Sequence, residues 1–165
     1  MPVLATKQTC TGCSSCSNIC PHNAISIYPD EQGFLIPRID TDKCVECKLC
    51  EKVCPIINGK NLRHSNVNCA YAFWDNKTRT ESSSGGAFSA IARWVLDKNG
   101  IIFGAAWQDG FNCIHIGCNT EDEVSRLRGS KYLQSDIRST YVEAREALKN
   151  GSRQPAHTPY AKIPC

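Results

Sequence analysis

Eight of the twelve cysteines fall into two copies of one spacing. Cys10, Cys13, Cys16 and Cys20 precede Pro21, and Cys44, Cys47, Cys50 and Cys54 precede Pro55. Both runs read C-x2-C-x2-C-x3-C-P, with the second 34 residues after the first. Thiols two residues apart let one tight loop wrap three corners of an iron–sulfur cube, while the fourth corner is reached from elsewhere. The proline after each run lacks an N–H and turns the chain out of any helix. The doubled spacing predicts two [4Fe–4S] clusters, and with them a path for single electrons. Zinc is the alternative, but it takes separated C-x2-C pairs and leaves the middle cysteine of each triplet surplus.

The 165 residues suit one domain or two small ones. A cluster module of about 55 residues is too small for a large apolar core, so its metal centres must supply much of its stability. An apolar content of 41% and a charged content of 21% describe a folded globular chain. The formal charge of +3 falls to roughly −1 once eight thiolates and two oxidised cubes are included. With Lys and Arg scattered, nothing points to nucleic acid. Residues 1–9 have no signal-peptide core, and the longest apolar run, 101–107, is too short to cross a membrane. Unpaired thiols and a reducing cytoplasm are expected rather than a disulfide framework.

Residues 24–28 and 34–39 read as strands around a turn at 29–33, so each half is cluster loop, helical turn and strand. The expected organisation is a cluster domain over 1–57, a polar linker over 58–68, a second domain over 69–150 and an irregular tail over 151–165. In the second domain, 69–74 reads as a strand. Ala87 to Asp97 has helical spacing and is stopped by Asn99-Gly100. Residues 101–107 and 111–118 read as a hairpin. Thr120 with Glu123 forms a capping box, and 139–149 is a further helix. The fold class expected is α+β, a two-cluster unit followed by a partial α/β domain. Cys113 and Cys118, five apart on a strand, face opposite sides and with Cys69 read as buried thiols. Cys165 sits at a frayed end. His115 reads as a surface or packed histidine. His22 reads as solvent-facing beside the first cluster.

The runs resemble those of bacterial-type two-cluster ferredoxins, in which the last cysteine of each run ligates the other run's cluster. That resemblance implies one cube on Cys10, Cys13, Cys16 and Cys54, and one on Cys44, Cys47, Cys50 and Cys20. Downstream, Glu81-Ser-Ser-Ser-Gly-Gly-Ala-Phe-Ser-Ala90 and Gly129-Ser-Lys-Tyr-Leu-Gln-Ser-Asp136 resemble the beta-subunit family of coenzyme F420 hydrogenases and dehydrogenases. The likeness runs from about residue 10 to 150. It implies an iron–sulfur flavoprotein in which FAD beside the clusters exchanges a hydride with a deazaflavin, working with a redox partner subunit.

On that reading Ser83, Ser84, Gly85, Gly86 and Lys131 are the candidate flavin contacts, since serine hydroxyls and glycine N–H groups at a helix N-terminus suit a pyrophosphate. The plainer reading is a serine N-cap with glycines for close packing, and a solvated lysine. Members of that family continue past the last helix with a strand and a long C-terminal domain. Residues 152–165, proline-rich and without period, stand in its place, so the sequence reads as a truncated or frameshifted product. No catalytic triad or carboxylate pair appears. The competing readings are a flavin-linked oxidoreductase subunit, a flavin-free electron carrier and a zinc-stabilised interaction module.

Overall fold

The computed structural model describes residues 1–59 and 70–151, so most of the expected linker, Cys69, and all of the tail after Gly151 lie outside the described residues. The described residues form two compact units, 1–59 with 136–142, and 70–135 with 143–151.

The first unit repeats its cysteine loop and short helix, while both of its strands lie between the two cysteine runs. Helix α1 spans Ser15–Ile19 and α2 spans Leu49–Val53, 34 residues later at both ends. Each is entered through a left-handed residue, Ser14 (φ 57°, ψ 10°) and Lys48 (φ 58°, ψ 15°). Each is left through an extended cysteine, Cys20 (φ −73°, ψ 111°) and Cys54 (φ −73°, ψ 118°). A second left-handed pair, Gly12 (φ 63°) and Glu46 (φ 55°), lies two residues earlier. The N–H of Cys10 donates to Thr6 O at 2.8 Å, and that of Cys44 to Asp40 O at 3.1 Å. Helices this short do not persist on propensity, because nucleation fixes several torsions for a single hydrogen bond.

Strand β1 (Ile25–Pro29) pairs antiparallel with β2 (Leu35–Ile39), from Ile25 opposite Ile39 to Pro29 opposite Leu35. The strands start one residue later than the sequence suggests, because Asp30 sets the turn. Its Oδ1 accepts from the N–H groups of Gln32 and Phe34, both at 2.9 Å, and Gly33 takes φ 87°. Burial pushes the Asp30 carboxyl up, but those two N–H groups and the Lys7 ammonium outweigh it and hold it below the usual carboxylate range. Pro29 and Pro37 sit in a two-stranded sheet, where a missing N–H costs no ladder bond on the outer edge.

The second unit has a conventional core. Helix α3 (Ala87–Leu96) packs its Ala92 against Ala106, Cys118, Val124 and Leu127. It ends in a Schellman arrangement: Gly100 N–H donates to Val95 O and Asn99 N–H to Leu96 O, with Asn99 at φ 55°. Strands β3 (Ile102–Gln108) and β4 (Asn112–Cys118) form an antiparallel hairpin around Asp109 and Gly110, both at positive φ. Helix α4 (Glu121–Ser125) is capped as its sequence predicts. Thr120 Oγ1 accepts from Glu123 N–H, and Glu123 Oε2 accepts from Asn119 N–H at 3.0 Å. Helix α5 is Thr140–Lys149.

Two expectations need correction here. The described part of the predicted strand 69–74 forms no strand, since no neighbouring backbone ladders with it and Tyr71, Phe73 and Trp74 are exposed. The described strands are all antiparallel, so the second unit contributes to an α+β fold through a hairpin and not through a parallel α/β unit. Cys113 and Cys118, on opposite sides of β4, are both buried.

Asp75 ties the loop before α3 to the helix. Its Oδ2 accepts from Thr78 Oγ1 at 2.6 Å and from Arg93 Nη2 at 2.7 Å. The Thr78 hydroxyl and the Arg93 guanidinium hold its carboxyl at about 2. A carboxyl depressed on folding stabilises the fold above its unfolded value near ~4, and this contribution is lost as pH falls towards 2. All three tryptophans, Trp74, Trp94 and Trp107, lie in this unit. Acid titration followed by tryptophan fluorescence is therefore expected to show a stability loss between about pH 4 and pH 2 that Asp75→Asn reduces, the depressed Glu123 carboxyl accounting for part of the remainder.

Candidate metal centres and a cofactor cavity

Two cavities in the first unit are ringed by cysteines. One, with about 390 Å³ of free space counting its mouth, is lined by Cys10, Cys13, Cys16 and Cys54. The other, with about 340 Å³, is lined by Cys20, Cys44, Cys47 and Cys50. Each therefore draws three sulfurs from one run and the fourth from the other. The left-handed residues make this possible by folding each C-x2-C-x2-C stretch back on itself, so that its sulfurs face one space. The extended Cys20 and Cys54 then carry their side chains away from their own helices.

The linings fit iron–sulfur cubes. Apart from the cysteines they are largely apolar, with Leu4, Ile27 and Ile56 in the first and Ile25, Ile39 and Leu49 in the second. A sulfur in each already accepts a backbone N–H, Gly12 to Cys10 Sγ and Ala24 to Cys20 Sγ, both at 3.4 Å. Among the described residues no three His, Cys, Asp or Glu side chains converge as a single metal ion requires. A cube asks for something different, four sulfurs spread around a cavity with one for each iron.

The thiols are unequal. Burial pushes Cys16 up to about 11 and raises Cys50 as well. Burial also acts on Cys13, but hydrogen bonds with Ser15 and with the Thr11 hydroxyl outweigh it and bring Cys13 below a free thiol. Cluster insertion must displace the protons that burial retains. His22 is exposed as the sequence suggests, yet it lines the second cavity, not the first.

The second unit holds a larger, open cavity with about 1050 Å³ of free space counting its mouth, lined by Ser83, Ser84, Gly85, Gly86, Arg128 and Gly129 among others. Both motifs that carried the flavin resemblance thus reach one site. Two details differ from the sequence reading, and the close packing expected of the glycines is found at Gly85. The N-cap of α3 is Gly86 at φ 87° and no side chain caps it, so a serine cap is not what starts the helix. Gly85 is required by close approach, since a Cβ there would meet Phe73 O at 2.0 Å. Lys131, half-buried, is not among the residues lining the cavity: its Nζ donates to the carbonyls of Arg126, Leu127 and Arg128 at 3.2, 2.9 and 2.8 Å. It caps the turn after α4.

Arg128, which sequence reasoning passed over, lines the cavity instead. It donates from Nε to Ser89 Oγ and from Nη1 to Glu81 Oε2. Its position just before Gly129-Ser130 was the available signal. His115 Nδ1 lies 2.8 Å from Ser135 Oγ, and burial lowers its proton affinity. Among the described residues, no helix is long and apolar enough to cross a membrane.

The two cysteine-ringed cavities of the first unit, with β1 and β2 beside them, have the form of a ferredoxin-type two-cluster site. Residues 9–57 match the family described as the 4Fe-4S dicluster domain. Ferredoxin YfhL of Escherichia coli is 37% identical over 81 residues, covering 46% of this chain and 87% of that protein. The chain belongs to the family of 4Fe-4S dicluster ferredoxins. An uncharacterized polyferredoxin-like protein of Methanocaldococcus jannaschii is 33% identical over 66 residues, 35% of this chain and 39% of that protein. A subunit of the F(420)H(2) dehydrogenase of Methanosarcina mazei is 22% identical over 149 residues, 84% of this chain and 43% of that protein. The chain thus spans about two fifths of the length of these last two relatives.

The contact at Gly85 gives a direct test of the cavity's construction. Gly85→Ala is expected to destabilise the second unit by about 1–3 kcal/mol, the usual range for overpacking. Urea unfolding followed by tryptophan fluorescence measures it, and Ser84→Ala in parallel is expected to change little.

Proposed function

We propose that the chain relays single electrons through two [4Fe–4S] clusters, one held by Cys10, Cys13, Cys16 and Cys54 and the other by Cys44, Cys47, Cys50 and Cys20. The observation that carries this is the grouping of the cysteines, because each cavity is ringed by one of these sets. A bound cube supplies a one-electron couple without a proton. The protein's part is to hold the sulfurs, donate N–H groups to them and screen them with apolar side chains. Ten described cysteines are unpaired, which suits a reducing compartment such as the cytoplasm.

We further propose that this relay serves a flavin-dependent oxidoreductase resembling the coenzyme F420 hydrogenase/dehydrogenase beta subunits, with a protein redox partner as the other terminus. Support comes from the cavity at the N-terminus of α3. Both motifs of the resemblance line it, the helix start is uncapped by any side chain, and Arg128 stands at its wall. Helix N-termini and arginine both favour the pyrophosphate of FAD, with a deazaflavin as its hydride partner. The flavin-free carrier is the second reading, favoured by the near full-length match to Ferredoxin YfhL.

Anaerobic purification with metal and flavin analysis tests both. About eight irons per chain are expected, with FAD released on denaturation under the first reading and none under the second. Zinc in place of iron would overturn both. The exchange of the fourth ligand has its own test. Cys54→Ser is expected to lose about four irons and to leave the same paramagnetic signal as Cys13→Ser, not that of Cys47→Ser.

A further inference from the structure

The two halves of the first unit share a backbone but not the side chains that face the sulfurs. Across the 34-residue offset, Thr11 corresponds to Val45 and Ser15 to Leu49. Ser15 Oγ stands 3.5 Å from Cys13 Sγ, and Thr11 lines the same cavity as that sulfur. The equivalent sulfur in the second half is Cys47, where valine and leucine have no proton to donate. We propose that Ser15 and Thr11 are positioning residues that set the reduction potential of the centre on Cys10, Cys13, Cys16 and Cys54, so that the repeat carries two separately tuned centres. This rests on the ligand sets proposed above.

The physical basis is the charge added on reduction. A thiolate bound to iron has no proton of its own, so each hydroxyl turns its O–H towards the sulfur. Reduction adds one electron, shared in part with the coordinating sulfurs; no bond breaks and no proton is taken up. Hydrogen bonds to that sulfur strengthen as its charge grows, favour the reduced form and raise the potential. Backbone donors occur at both cavities, Gly12 at one and Ala24 at the other, so the hydroxyls mark the difference between them. Solvent at the exposed Cys47, and the nearby Lys48 and His22, act on the second centre by another route. The substitutions below leave all three in place.

The test is a dithionite titration of the full chain, monitored by electron paramagnetic resonance. The Thr11→Val/Ser15→Ala variant is expected to lower one midpoint, with an approximately tenfold shift in the reduced-to-oxidised ratio, about 59 mV for one electron. The other midpoint is expected to stay in place. The reciprocal Val45→Thr/Leu49→Ser variant, grafting hydroxyls onto the second half, is expected to raise the other midpoint alone. Two intact four-iron signals that stay put in both variants, or that move together, would overturn the proposal while sparing the ligand assignment. Wild-type protein without two four-iron signals would overturn the assignment, and this inference with it.

Discussion

Neither half of the first unit can complete a four-sulfur cavity alone. Each loop presents three cysteines to its own space and sends the fourth across to the other. The short helices, the left-handed residues before them and the extended cysteines after them all follow from that exchange. It also explains how so small a unit holds together. Its buried apolar side chains include only small or medium groups such as Ala24, Ile25 and Ile137, and such a core is marginal at this size. Bonds from sulfur to metal take over part of the stabilisation that packing provides elsewhere.

The second unit is stabilised differently. Ala92, Ala106, Cys118, Val124 and Leu127 interlock at close range, and small residues at 92 and 106 let the helix approach the hairpin. Polar ties finish the work: Asp75 gathers Thr78 and Arg93, and Lys131 gathers three carbonyls after α4. The loop carrying Ser82 to Gly86 is itself tied at two points, Gly85 O accepting from Asp75 N–H and Ser82 Oγ donating to Thr78 O, both at 2.7 Å. That rigidity suits a binding wall, since little conformational freedom remains to be lost when a ligand arrives.

The sequence was most informative where chemistry forces spacing. The cysteine runs, the hairpin over 102–118, the Thr120–Glu123 cap and the Asn99-Gly100 stop were all legible, because each rests on local geometry or a short polar contact. Residues 69–74 mislead because alternating aromatics imitate a half-buried strand, and only the absence of a neighbouring ladder among the described residues reveals otherwise. Arg128 and not Lys131 lines the cavity, because both lie near one glycine motif and their side-chain directions depend on tertiary contacts. Likewise, His22 follows the first run in sequence but lines the second cavity. Sequence neighbours are not cavity neighbours when the chain crosses over.

The repeated torsions also bear on how such a molecule diverges. Positions 12 and 46, and 14 and 48, keep the same left-handed backbone while their side chains run from glycine and serine to glutamate and lysine. The two cysteine loops share this backbone geometry and the cysteine–proline spacing, while the side chains between the cysteines differ. Each half of the molecule is therefore a natural control for the other, the same scaffold carrying two different sets of side chains within one chain.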